Sequence, residues 1–251
     1  MFSGGGTTLA GTAGTSGSAK GTGTAGLFKS PAGVATDGTN LYVSDSGNNT
    51  IRKIVISTGV VTTLAGTAGA SGTTDGTGAA ARFNYPYGIA CDGTNLFVAD
   101  SANHTIRKIS PWGEVTTFAG SPGQGGHADG TGAAARFYYP EDVAIDASGN
   151  LFVADNLNHA VRGITPDGAV TTYAGAPFSG SQDGVGSAAR FRFPTGVAVD
   201  ALGNVYVADE GNNTVRMISP SREVTTLAGS AGQAGFMDGF RSAARFDKPS
   251  D

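Results

Sequence analysis

The stretch that decides the fold is Leu96-Phe97-Val98-Ala99-Asp100-Ser101-Ala102-Asn103-His104-Thr105-Ile106-Arg107-Lys108-Ile109. Two short runs of β-branched, aliphatic and aromatic residues flank a polar turn. This pattern predicts a β-hairpin. The motif (Leu/Val)-(Tyr/Phe)-Val-(Ser/Ala)-Asp returns along the chain at steps of 55, 55 and 54 residues, ending at Asp45, Asp100, Asp155 and Asp209. The hairpin is therefore one unit of a tandem repeat.

Each repeat contains four predicted strands, which we name a, b, c and d. In the second repeat they are predicted at 88–91, 96–99, 105–109 and 115–118, with polar turns between them. Strand d carries the motif Thr-Thr-(Leu/Phe/Tyr)-Ala-Gly, which starts at Thr7, Thr62, Thr116, Thr171 and Thr225. Four antiparallel strands followed by a long link are typical of a propeller blade. The full blades are predicted at about 31–64, 86–118, 140–173 and 194–227.

The quoted hairpin and the run Pro194-Thr195-Gly196-Val197-Ala198-Val199-Asp200 resemble the NHL repeat, a β-propeller family. The resemblance implies an all-β fold and a complete ring of about six blades. It implies no single activity, because NHL propellers serve as protein-binding, RNA-binding, sensor and lyase domains. We expect a tail at 1–6 and one propeller domain at 7–251, with an extra N-terminal strand d at 7–10 and an incomplete last blade from 228. Four complete blades then predict an open arc or a fragment of a larger ring, with missing blades or neighbouring domains outside this chain.

Composition excludes several classes of protein. Charged residues make up 14% of the 251, and the formal net charge of -4 disfavours strong binding to nucleic acid phosphates. No apolar run reaches the length of a membrane span, and the first residues lack the features of a signal peptide. The single cysteine, Cys91, excludes an internal disulfide. A surface rich in Thr, Ser, Gly and Asn favours a secreted or cell-envelope bacterial protein, although composition alone leaves the compartment undetermined.

The link from strand d to the next strand a is an insert of about 20 residues with its own motif, Asp75-Gly76-Thr77-Gly78-Ala79-Ala80-Ala81-Arg82-Phe83. We expect an Asp-Gly turn, one helical turn, and an arginine that folds back onto the aspartate. The predicted structural pairs are Asp75 with Arg82, Asp129 with Arg136, Asp183 with Arg190, and Asp238 with Arg245. Lys20 and Leu27 replace both members in the first repeat. The alternative is that these arginines form a ring that binds an anionic ligand.

A second pairing is predicted across each b-c hairpin, between the aspartate that ends strand b and an arginine in strand c. The pairs are Asp45 with Arg52, Asp100 with Arg107, Asp155 with Arg162, and Asp209 with Arg216. Because the pairing recurs in every blade, we assign it to the scaffold. His104 and His159 occupy the turn position that Asn49 and Asn213 fill in the other repeats, which argues against a ligand role for either histidine.

Candidate functional residues lie where the inserts meet strand a, just before and after the proline that begins it. The candidate binding rim is Tyr85, Tyr87, Tyr138, Tyr139, Glu141, Asp142, Arg192 and Phe193. Tyrosine and arginine on one rim suit partner binding, whereas the alternative is that the rings pack between blades. Glu141 and Asp142 replace a glycine that follows this proline in other repeats. They suit Ca²⁺ or general-base chemistry, or form a solvated acidic turn.

The sequence therefore predicts a non-enzymatic binding or scaffold propeller. Its partner, a protein, a small molecule or a glycan, is expected on the face that carries the inserts and the b-c turns. No catalytic residue and no required cofactor is predicted. The alternative is a propeller lyase or hydrolase with a metal, Ca²⁺ or Zn²⁺, at the central channel, where Glu141 and Asp142 are the one candidate site. A separate metal site would combine His127, which is alone in an insert beside Asp129, with carboxylates of a neighbouring blade.

Overall fold

The computed structural model describes residues 6–250, which form four antiparallel sheets of five strands each. Blade 1 contains β1 (Gly21–Thr22), β2 (Pro31–Thr36), β3 (Asn40–Asp45), β4 (Thr50–Val55) and β5 (Val60–Gly66). Blade 2 contains β6 (Gly76–Thr77), β7 (Pro86–Cys91), β8 (Leu96–Asp100), β9 (Thr105–Ile109) and β10 (Glu114–Gly120). Blade 3 contains β11 (Gly130–Thr131), β12 (Pro140–Ile145), β13 (Leu151–Asp155), β14 (Ala160–Ile164) and β15 (Ala169–Gly175). Blade 4 contains β16 (Gly184–Val185), β17 (Pro194–Val199), β18 (Val205–Asp209), β19 (Thr214–Ile218) and β20 (Glu223–Gly229).

Strands a to d of each blade pair in chain order, as the repeat predicts. A fifth strand of two residues pairs with the outer edge of strand d, and the sequence analysis did not predict it. In blade 2, Gly76 lies opposite Val115 and Thr77 lies opposite Glu114. The insert thus runs along the outer edge of its own blade, beside strand d, before it reaches strand a.

The b-c turns have one shape in all four blades. In blade 2 a 3-10 turn at Ser101–Asn103 ends at His104, whose backbone is left-handed with φ of 61°. Asn49, His159 and Asn213 take the same conformation in their blades. Asparagine and histidine are among the non-glycine residues enriched in this region of backbone space, which explains their exchange at this position.

The hydrophobic core lies between neighbouring blades. One buried cluster joins Phe97 and Ile106 of blade 2 to Val143 and Val153 of blade 3. A second joins Phe152 of blade 3 to the buried valines of blade 4, and a third joins blades 1 and 2. The first strands β2, β7, β12 and β17 contact one another in chain order. The blades therefore stack side by side around their inner strands, as in a propeller.

Residues 7–10 form no strand, so the predicted extra N-terminal strand is wrong. Every other copy of this motif pairs with a strand c of its own repeat. The inserts do each contain the predicted helical turn, as a 3-10 turn at Gly78–Ala80 in blade 2. Among residues 6–250, no helix has the length and apolar character that crossing a bilayer requires.

Candidate binding surface on the insert face

A buried ion pair anchors the insert end of each blade. In blade 2, Nη1 of Arg107 lies 2.7 Å from Oδ2 of Asp100, and both side chains are fully buried. The same carboxylate accepts hydrogen bonds from Nδ2 of Asn103 and from the backbone N–H of Asn84, each at 2.8 Å. The guanidinium lies over the ring of Phe83, with Cζ 5.3 Å from its centroid. The hairpin pairs that the sequence predicts are confirmed in all four blades.

The electrostatics of this anchor are a balance of opposing effects. Burial raises the pKa of Asp100, while Arg107 and the hydrogen bonds from Asn103 and the Asn84 N–H lower it. Asp155 and Asp209 show the same raised pKa for the same reason. Each carboxylate is held by three protein donors, which offset part of the desolvation of a buried charge. The recurrence of this arrangement in every blade marks it as scaffold.

The aspartate of the insert pairs with a different arginine from the predicted one. Oδ1 of Asp75 lies 2.6 Å from Nη2 of Arg107 in strand c, and the other inserts repeat this contact between Asp129 and Arg162 and between Asp183 and Arg216, each at 2.7 Å. Arg82 instead donates to the carbonyl oxygens of Ala79 and Ala81, at 2.6 and 2.7 Å. Arg136, Arg190 and Arg245 make equivalent contacts.

The predicted Asp-Arg pairs of the inserts are therefore wrong in their partner. The insert lies across its own blade. The aspartate of the insert therefore contacts the arginine of strand c, and the arginine of the insert donates hydrogen bonds to carbonyl oxygens of the 3-10 turn. In the first repeat Arg52 still binds the insert, through the carbonyls of Ala19 and Leu27. Asp238 has no ion pair within residues 6–250.

A hydrogen bond that the sequence analysis missed joins each blade to the next. Nδ1 of His104, at the end of the blade 2 turn, accepts the backbone N–H of Tyr139 in the insert of blade 3, at 3.1 Å. His159 accepts from Phe193 in the same way at 3.2 Å. Oδ1 of Asn49 accepts from Tyr85, and Oδ1 of Asn213 from Lys248, each at 2.9 Å. We call this contact the junction hydrogen bond.

The junction hydrogen bond holds an aromatic residue in an uncommon backbone conformation. Tyr85, Tyr139 and Phe193 each have φ of 52°, in the left-handed region, although glycine is the residue that adopts this region without steric cost. Their side chains are nonetheless 58, 40 and 36% exposed. The rings of Tyr139 and Phe193 also pack edge-on against His104 and His159, with centroids 4.7 and 4.8 Å apart. The rings of Tyr139 and Phe193 thus pack against the turn of the preceding blade and stay partly exposed.

The remaining rim candidates fall into two groups. Tyr138 and Arg192 lie beside the junctions: the Tyr138 ring is 5.4 Å from the His104 ring, and Arg192 lies directly over Gly211 of a b-c turn. Tyr87 and Asp142 line a cavity of about 90 Å³ where the inner strands begin, together with Gly88 of the neighbouring strand a. The structure thus separates the rim at the junctions from this cavity, which we call the channel mouth.

The two carboxylates at the channel mouth have different surroundings. Oδ2 of Asp142 accepts the backbone N–H of Val197 in blade 4, at 2.9 Å. Glu141 is partly buried, and burial, followed by repulsion from Glu210 and Asp142, raises its pKa to about 7. Asp142 thus ties two blades together, while Glu141 holds a proton to near neutral pH.

The structure also places His127, the other residue considered for a metal. Its Nε2 lies 3.4 Å from Oγ1 of Thr172, and burial together with the positive charge of Arg162 lowers its pKa. The neighbouring Asp129 is engaged with that arginine. Within residues 6–250 no three histidine, cysteine, aspartate or glutamate side chains are grouped as metal ligands.

The sequence and the fold of this chain match those of known proteins. The NHL repeat profile matches residues 137–164 and 191–216, which contain the b-c hairpins of blades 3 and 4. The chain belongs to the NHL-repeat family. NHL repeat-containing protein 2 of Bos taurus is 30% identical over 88% of this chain. This NHL-repeat chain spans only about a third of that relative, 35% of its length.

Solved structures agree on the fold of the NHL-repeat chain. A structural genomics protein of unknown function from Bacteroides thetaiotaomicron matches with a TM-score of 0.58 and 23% identity, over 98% of this chain and 69% of its own. A virginiamycin B lyase from Staphylococcus aureus matches with a TM-score of 0.55 and 16% identity, over 78% of this chain and 54% of its own. At these identities the likeness establishes architecture alone.

Proposed function

We propose that this chain is a non-enzymatic binding propeller whose insert face takes a segment of a protein partner. The observation that carries the proposal is the set of exposed aromatic side chains held at φ of 52° by the junction hydrogen bonds. A left-handed conformation costs a non-glycine residue about 1 kcal/mol. The cost is explained if the side chain, which glycine lacks, has a use on the surface.

The rim has the properties of a preorganised interface. Tyrosine, phenylalanine and arginine are enriched at interface hot spots or cores. Here their backbone is fixed before any partner arrives, which reduces the entropy that binding would cost. Tyr85, Tyr139 and Phe193 lie at three successive blade junctions, so an extended segment can contact more than one of them.

Charge favours a partner with basic side chains. Glu141, Asp142 and Glu210 lie near one another at the channel mouth, and the chain carries a net charge of -4. A lysine or arginine at this position would relieve the repulsion among the three carboxylates. We therefore propose a partner segment that places a basic side chain at Glu141 and apolar side chains on the junction rings.

The test is a selection of peptides from a random displayed library on the purified chain, followed by titration of the winners. We expect basic residues in the winners and an affinity about tenfold lower for Tyr139→Gly and for Glu141→Gln. The control is Trp112→Ser, because Trp112 is 83% exposed in a c-d turn on the opposite face. Winners that bind both rim variants as tightly as the parent chain would contradict the proposal.

One observation favours the alternative, a propeller lyase or hydrolase. A carboxylate with a pKa of about 7, such as Glu141, suits a general base at neutral pH. Metal analysis of the purified chain tests this directly. Bound metal in stoichiometric amount, lost in Glu141→Gln, would favour the enzyme over the binding propeller.

A further inference from the structure

Two departures from the repeat lie next to each other on the face opposite the inserts. Gly163 in strand c of blade 3 stands where the other repeats have Lys53, Lys108 and Met217. Arg222 in the c-d turn of blade 4 stands where the other repeats have Gly59, Gly113 and Gly168. Arg222 keeps the left-handed backbone of those glycines, with φ of 64°. Such a conformation costs arginine about 1 kcal/mol relative to glycine.

Both residues line one cleft between blades 3 and 4, with a volume of about 290 Å³. Phe152 and Tyr173 form the wall from blade 3, and Leu202 and Pro220 form the wall from blade 4. Binding pockets for small molecules start at about 300 Å³ and combine apolar walls with a few polar groups. The cleft therefore has the size and the lining of a small-molecule site.

The junction between blades 2 and 3 shows what occupies this place in another repeat. There Nζ of Lys108 lies 5.8 Å from the centroid of the Phe97 ring, which packs against Phe118. In blade 3 the corresponding pair, Phe152 and Tyr173, has only Gly163 beside it in strand c. The missing lysine side chain leaves room for a ligand against two aromatic rings.

The charge at this junction comes from the next blade instead. Cζ of Arg222 lies 5.1 Å from the centroid of the Tyr173 ring. Within residues 6–250 the guanidinium forms no ion pair, and no side-chain or backbone acceptor receives its hydrogen bonds. Its donors are thus available to an anion beside an apolar surface, where a charge-assisted hydrogen bond is strong.

The one carboxylate in the lining is already occupied. Asp146 accepts hydrogen bonds from the backbone N–H groups of Ser148 and Asn150, each at 2.8 Å, and from the Asn150 side chain at 2.8 Å. These bonds build the a-b turn of blade 3. The oxygens of Asp146 are thus taken by donors of its own turn, whereas the Arg222 guanidinium has no hydrogen-bond acceptor among residues 6–250.

We propose that this cleft binds a small amphipathic anion, namely a planar apolar group that carries a carboxylate, sulfonate or phosphate. The planar group packs against Phe152 and Tyr173 in the space left by Gly163, and the anionic group accepts hydrogen bonds from Arg222. The site lies on the face opposite the proposed protein interface and stands independently of it.

The probe for the test is 8-anilinonaphthalene-1-sulfonate, which carries a sulfonate on an aromatic body and fluoresces in apolar surroundings. N-phenyl-1-naphthylamine has a similar body without the charge and serves as the matched probe. The two variants are Gly163→Lys and Arg222→Gly. Each restores the residue that other repeats already carry at that position, and circular dichroism and thermal unfolding verify that both fold.

We expect saturable binding of the sulfonate with one site for each chain. Gly163→Lys should weaken both probes at least tenfold, because a lysine side chain occupies the cleft. Arg222→Gly should weaken the sulfonate about tenfold and the uncharged probe less than twofold, since only the sulfonate accepts from the guanidinium. Trp112→Ser, at an exposed residue outside the lining of the cleft, should leave both affinities unchanged.

Two results would overturn the proposal. Sulfonate binding that Gly163→Lys leaves intact would place the dye at another exposed apolar surface. Equal losses of both probes in Arg222→Gly would show that the guanidinium acts through shape and not through charge, and an anion site would then be wrong.

Discussion

The imidazole Nδ1 of His104 accepts a hydrogen bond from the backbone N–H of Tyr139, and this bond joins the turn of one blade to the insert of the next at 3.1 Å. We predict that His104→Ala lowers the free energy of unfolding by about 2 kcal/mol, because alanine lacks the acceptor and is strained at φ of 61°. His104→Asn should cost less than about 1 kcal/mol, since Asn49 makes the same bond. Urea unfolding at pH 7.5 checks both values.

The same bond predicts a dependence of stability on pH. Burial lowers the pKa of His104 below its ordinary value of 6.5, so the folded chain binds fewer protons than the unfolded chain in the region below pH 6.5. The stabilising contribution of neutral His104 is then complete above pH 6.5 and is lost as the pH falls through the pKa of the folded state. Subtracting the free energy of unfolding of His104→Asn from that of the parent at each pH isolates this loss, because both chains keep His127 and His159. Parallel curves between pH 7.5 and 5 would contradict the prediction.

Arg107 neutralises two aspartates of unequal burial, and this predicts unequal effects of mutation. Arg107→Leu leaves Asp100 buried without its cation and should destabilise the chain by about 3–5 kcal/mol. Asp75→Asn should cost at most about 1 kcal/mol, because the Asp75 side chain is 48% exposed. Chemical unfolding monitored by circular dichroism measures both variants. Equal losses would mean that the insert contact, and not the hairpin pair, dominates the anchor.

The strained rim predicts that binding and stability respond in opposite directions. Tyr139→Gly should keep or raise the thermal midpoint, because glycine adopts φ of 52° without the cost of about 1 kcal/mol. It should also weaken the peptides selected on the insert face. Tyr139→Ala is the matched control, since alanine removes the ring but keeps the strain. A midpoint for the glycine variant below that of the alanine variant would show that the backbone is not strained.

The raised pKa of Glu141 predicts a second dependence of stability on pH, opposite in sign to that of His104. Its pKa is raised from 4.5 to about 7, so the folded chain binds more protons than the unfolded chain between these values. The stabilising contribution is complete below pH 4.5 and is lost as the pH rises through 7. Glu141→Gln should therefore be more stable than the parent at pH 8, by about 1 kcal/mol after solvent screening. Urea titrations at pH 8 and at pH 4, where the difference should vanish, test this prediction.

Much of the fold follows from the sequence because the repeat encodes it locally. The predicted strand c at 105–109 coincides with β9, and the predicted strands a, b and d fall inside β7, β8 and β10. The two-residue edge strand Gly76–Thr77 escaped prediction because a pair of residues has no periodicity to detect. This edge strand pairs with strand d of its own blade, and only the path of the insert determines that pairing.

The contacts of the inserts were harder to predict because their partners are distant in sequence. Lys20 and Leu27 replace the aspartate and the arginine of the insert together, which suggested that these two residues meet. In the structure the aspartate contacts strand c, whereas the arginine contacts the 3-10 turn. Asp75 contacts Arg107, which lies 32 residues further along the chain. No local sequence pattern indicates a contact between residues so far apart. The exposure of the rim aromatics depends in turn on the junction hydrogen bonds, which a side-chain pattern does not reveal.

The junction hydrogen bond has one further consequence, because its donor is a main-chain amide. An amide is present whatever side chain follows, so tyrosine, phenylalanine and lysine are all held identically at this point. Mutations can therefore change what each blade displays without loosening the stack beneath. The side chain at this position can therefore differ from blade to blade while the hydrogen bond between the blades is kept.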